Sequence, residues 1–142
     1  MTLRTSFLPA LILVSCAGPT PLEVSETTSI GLRQRVSVSD VNPSEGDTLR
    51  VVSVILNPLT DGLEIRLWDP CLDLSGTLPI RIIPPDFMIG NCSVVPMILA
   101  PGESVTAAAV ALLTGPAGTY NLEIQHLVEP AWTVAVEVRV SN

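Results

Sequence analysis

The chain has 142 residues, the length of one ordinary domain. With 47% hydrophobic and 15% charged residues it is too apolar for a disordered chain, so a packed core is expected. A formal charge of −7, from 14 acids against 7 bases, argues against the basic stripe that a phosphate backbone needs, and nucleic acid is not expected as a partner.

The first element is residues 1–15. A polar start with Arg4 leads into Phe7-Leu8-Pro9-Ala10-Leu11-Ile12-Leu13-Val14 and then small Ser15, the order of a secretory signal. The apolar run falls well short of the roughly 20 residues that span a bilayer, so export and cleavage are expected rather than a transmembrane helix. Leu13-Val14-Ser15-Cys16 resembles the lipobox of bacterial lipoproteins. In that family the cysteine thiol receives a diacylglyceryl group, the chain is cut before it, and the new amine is often acylated. The resemblance makes Cys16 the lipidation site and the membrane a partner through a lipid anchor. Ala17 stands where aspartate tends to retain such proteins in the inner membrane, so the outer membrane is favoured in a host that has one. The alternative is an ordinary cut after Ala17, with Ser15 and Ala17 as its small residues, which makes a plain secreted protein.

Residues 16–29 follow, rich in Pro, Ser, Thr and Glu and without an apolar period, and read as a flexible tether. From about Ile30 to residue 142 the chain reads as strands and turns. Val36 and Val38 alternate with serines, and Asn42-Pro43-Ser44-Glu45-Gly46-Asp47 makes a loop. Thr48–Leu56 is an apolar strand, Asn57-Pro58 and Asp61-Gly62 mark a turn, and Leu63, Ile65 and Leu67 alternate with Glu64, Arg66 and Trp68. Leu78–Ile83 and Val94–Leu99 are further strands, the second followed by Pro101-Gly102, which suits a type II turn. Alanine-rich Ser104–Leu113 has helical propensity, but its neighbours argue for strand. Tyr120, Leu122 and Ile124 alternate with polar residues, as do Trp132, Val134, Val136, Val138 and Val140.

With aromatics at only 4%, valine, leucine and isoleucine must fill the core, which again favours sheet. Every base is an arginine, which we read as a trace of genomic base composition. The pattern predicts an all-β protein: an antiparallel Ig-like β-sandwich of seven to eight strands. Tyr120, after Gly115-Pro116-Ala117-Gly118-Thr119, resembles the tyrosine corner of Ig-like domains, and packing at a sheet edge is the plainer reading. Asn57-Pro58, Asp69-Pro70-Cys71, Leu99-Ala100-Pro101-Gly102-Glu103-Ser104-Val105 and Ala117-Gly118-Thr119-Tyr120 together resemble the BsuPI-type intracellular proteinase inhibitor domain, over about Thr48 to Val128. That resemblance implies the fold and, as an alternative function, proteinase inhibition. It places no inhibitory loop on any residue, and export contradicts an intracellular role.

With Cys16 lipidated, Cys71 and Cys92 remain as an even pair, which reads as a disulfide in an exported chain. Such a bridge stabilises a fold by roughly 3 kcal/mol through loop-closure entropy. Zinc is disfavoured, because His126 is the sole histidine and no C-x-x-C spacing occurs. Asp69, Asp73 and Asp86 are scattered loop acids in this reading rather than calcium ligands. His126 could be a lone base, but a histidine satisfied at the edge of the core is the expectation. No nucleophile elbow, zinc-protease or phosphate-loop motif is present. No catalytic set, metal or cofactor is expected. The candidate interaction loop runs from Trp68 to Asn91, with apolar Phe87, Met88 and Ile89, and would face an unknown envelope protein.

Overall fold

The structure, a computed structural model, describes residues 18–83, 93–129 and 132–142. Among these residues there is no helix, and nine strands form two antiparallel sheets. In chain order they are β1 Leu22–Thr27, β2 Arg33–Val38, β3 Thr48–Leu56, β4 Leu63–Gly76, β5 Ile80–Ile83, β6 Ser93–Leu99, β7 Ser104–Leu113, β8 Gly118–Glu129 and β9 Trp132–Val140. One sheet has the order β1-β2-β3-β7-β5 and the other β6-β4-β8-β9. This is the expected all-β, Ig-like sandwich, with the buried rows of both sheets facing each other.

The period of two decides which residues meet. On β3, Leu49, Val51, Ser53 and Ile55 are buried, and on β9 so are Val134, Val136, Val138 and Val140. Each fully buried valine or leucine contributes about 1.5–3 kcal/mol. Pairing overrides propensity in β7. Ala107, Ala111 and Leu113 turn inward, while the strand pairs with β3 from Ser104↔Leu56 to Leu112↔Thr48 and with β5 on its other side. The turn before it has the geometry that its proline and glycine predict. Gly102 adopts φ 78°, and Glu103 N donates to Ala100 O at 3.0 Å, as in a type II turn.

Four expectations are corrected. Residues 16–29 are not a tether throughout, because Leu22–Thr27 is an edge strand in register with β2 from Leu22↔Val38 to Thr27↔Arg33. Leu22 and Val24 pack against the core, and two apolar residues two apart suffice once a neighbouring strand supplies the ladder. The strands number nine among the described residues, and the Leu78–Ile83 strand begins at Ile80, after Pro79. Trp68 is not in a loop: β4 runs through to Gly76, and Trp68 pairs with Val94 of β6.

Asn57 joins the two sheets beyond β3. It is 0% exposed, and its Nδ2 donates to Asp61 O at 2.9 Å and to Leu99 O, at the end of β6, at 2.8 Å. Its Oδ1 accepts from Leu59 N at 3.0 Å. Its backbone accepts from Gly102 N and donates to Glu103 O, so it also holds the turn between β6 and β7. Asn57→Ala deletes the side-chain bonds and leaves buried backbone groups without partners, so it is expected to lower unfolding stability by about 2–3 kcal/mol. Urea denaturation checks this, and an unchanged midpoint would show that water replaces the amide.

Candidate functional site

A polar layer crosses the middle of the core. Along β2 the inward residues run Gln34, Val36 and Val38 after buried Leu32, along β3 Leu49, Val51, Ser53 and Ile55, and along β8 Leu122, Ile124 and His126. Gln34 Nε2 donates to Ser53 Oγ at 3.1 Å, and Ser53 Oγ lies 3.1 Å from His126 Nδ1 in the opposite sheet. Above this layer lies the larger apolar cluster, with Val36, Val51 and Ile124. Below it lies a smaller one of Leu32, Ile55, Ile65 and Leu99.

A hydroxyl next to an imidazole is the first requirement of an activated nucleophile. Here it is sealed: Ser53 is 0% and His126 1% exposed, so no substrate atom reaches either without parting the sheets. His126 is thus a satisfied interior histidine, deeper than the core edge where the sequence places it.

The layer sits beside an irregularity in β4. Leu67 pairs with Val128 and Leu72 with His126, so Trp68, Asp69, Pro70 and Cys71 stand opposite Leu127 alone. Pro70 has no N–H to donate, and a bulge is where a strand accommodates it. Cys71 therefore lies in this bulge. Cys16, Asp86, Phe87, Met88, Ile89 and Cys92 lie outside the described residues. Asp73 is exposed on β4 opposite Gln125. Among the described residues no group of three metal-ligating side chains occurs. Tyr120, at the start of β8, donates its hydroxyl to Pro116 O at 2.9 Å, four residues upstream.

The sequence reading missed the division of charge between the two outer faces. Outward on the β1-β2-β3-β7-β5 sheet stand Arg33, Arg35, Arg50 and Arg81, all exposed, against one strand acid, Glu23. Glu23 lies 4.0 Å from Arg35 and accepts from Ser37 Oγ at 3.4 Å. Between these arginines run Val52, Val54 and Leu56 of β3 and Val110 of β7, only partly buried although they point away from the core. Shallow grooves cross the face, one lined by Ser37, Ser39, Arg50 and Val52. The opposite outer face carries Glu64, Asp73, Glu123 and Glu137 against Arg66 and Arg139. Period two sets Arg33 and Arg35 on one face, but Arg50 and Arg81 lie far from them in the chain and only strand pairing brings them to the same side.

No protein-family model matches the sequence. No curated protein matches it either. Among solved structures, the chain is similar to the native conformation of α2-macroglobulin from Escherichia coli, with TM-score 0.47 and 12% identity over 78% of this chain and 8% of that one. The trypsin-activated form of the Escherichia coli protein gives TM-score 0.45 and 13% identity, over 78% and 9% of the respective chains. The chain thus spans under a tenth of the length of either.

Ser53→Ala removes the shared partner of Gln34 and His126 and is expected to cost about 1–3 kcal/mol. Combining it with Gln34→Leu should recover part of that loss, because the buried donor goes too. A double-mutant cycle by urea denaturation reads the coupling, and strict additivity would mean that the two residues do not act as one layer.

Proposed function

We propose that the protein is a lipid-anchored component of the cell envelope whose sandwich is a non-catalytic binding or structural module. The observation that carries this is Leu13-Val14-Ser15-Cys16 at the end of an apolar run, with folded chain starting shortly after it: Thr20 already bonds to Asp40 and Val41, and β1 begins at Leu22. Two or more acyl chains hold a soluble domain at a bilayer, whereas one does so only marginally. The sealed Ser53–His126 pair supports a module without chemistry of its own. Proteinase inhibition is the second reading, favoured by the turn and strand residues shared with the BsuPI-type domain, and assays against envelope proteases separate it from a passive module.

The same reading makes Cys71 and Cys92 a disulfide. Ser93, the residue after Cys92, pairs with Asp69, two residues before Cys71, so the two segments run side by side. Alkylation of the unfolded, unreduced protein should leave both thiols unmodified, and labelling of both would overturn the pairing.

Intact mass tests the anchor. The expected mature chain begins at Cys16 and carries a diacylglyceryl group whose two ester-linked acyl chains lipase removes, and Cys16→Ser should abolish both the modification and the cut before residue 16. An unmodified chain beginning at Gly18 would instead establish a plain secreted protein.

A further inference from the structure

We infer that the arginine-bearing outer face of the β1-β2-β3-β7-β5 sheet is a membrane-apposed surface that takes anionic lipid headgroups. The inference rests on the lipid anchor for its proximity to the bilayer. Cys16 precedes Pro21 by a segment whose extended length is at most about 17 Å. Pro21 leads directly into β1, an edge strand of this sheet, so an anchor at Cys16 keeps that edge within reach of the bilayer.

Charge decides which side lies down. The whole chain is acidic and on average repelled by an anionic bilayer, but screening limits that repulsion to about 8 Å at physiological ionic strength. The two sheets stack about 10 Å apart, so the acids of the far face are screened when the arginine face touches lipid. Turned over, Glu64, Glu123 and Glu137 would meet the headgroups instead. Guanidinium groups match phosphate with paired N–H donors, and their stems can lie along apolar surface with the head in the polar layer. Val52, Val54 and Leu56 provide that surface between Arg33, Arg35 and Arg50.

A second copy fits less well. Face-to-face pairing of two such surfaces opposes arginine to arginine, and pairing with the acidic face sets the valine stripe against Glu64, Glu123 and Thr133.

Because the protein has no lysine, arginine modification reads this geometry directly. The full chain, purified from its membranes, is reconstituted into vesicles of phosphatidylcholine alone or of phosphatidylcholine with phosphatidylglycerol, and its outward-facing copies are treated with phenylglyoxal. Phosphatidylglycerol should slow modification of Arg33, Arg35, Arg50 and Arg81 several-fold and leave Arg139 unchanged. In Arg33→Glu/Arg35→Glu, at two exposed positions, the protection of Arg50 and Arg81 should disappear. Protection that survives in this variant overturns the inference. Intact mass on the same sample separates two failures: equal modification of a lipid-bearing chain in both vesicles overturns the orientation alone, and a chain without lipid overturns the anchor and the orientation with it. Protection that needs added envelope protein rather than phosphatidylglycerol assigns the face to a protein partner and overturns the lipid.

Discussion

Ser53 serves both sheets at once, accepting from Gln34 beside it and meeting His126 across the core, and the alignment of the sandwich depends on that contact. Valine, leucine and alanine rows attract without direction, so two apolar sheets can slide on each other at little cost. Hydrogen bonds have preferred distances and angles, and a displaced sheet would part Ser53 Oγ from His126 Nδ1 inside the core. In the observed alignment, no buried side-chain polar atom among the described residues lacks a partner. The apolar clusters on either side of the layer provide the bulk of the burial, and the layer selects which residues share it.

Asn57 performs a related task at one end of the sandwich. It binds the carbonyl of Leu99 in one sheet while its own backbone continues β3 of the other. The polar layer and this amide both border the small Leu32–Ile55–Ile65–Leu99 cluster. A cluster of that size buries little area, and hydrogen bonds supply there what apolar surface supplies in the larger half.

Much of this was legible in the sequence where period two is strong. The valine row of β9, the alternation of β8 and the turn at Pro101-Gly102 appear as the residues predict, because each is decided within a few neighbouring positions. β1 was missed because Leu22 and Val24 make too short a pattern among prolines and serines, and pairing with β2 turns it into strand. The extension of β4 past Trp68 was missed for a different reason: Pro70 argues locally against a strand, whereas the bulge is set by partners in β6 and β8. The depth of His126 and the gathering of Arg33, Arg50 and Arg81 on one face depend on register between distant segments, which no local pattern records.

The position of β1 bears on how the fold carries mechanical load. Whatever pulls on the chain before Pro21 pulls first on Thr20, bonded to Asp40 and Val41, and then on the six paired residues from Leu22 to Thr27. Tension along the strand axis strains that ladder in shear, with its bonds resisting together, whereas tension across the sheet opens them one after another from Leu22↔Val38. The direction in which the domain is held therefore sets how much force the edge strand withstands before it peels away and uncovers Val36 and Val38.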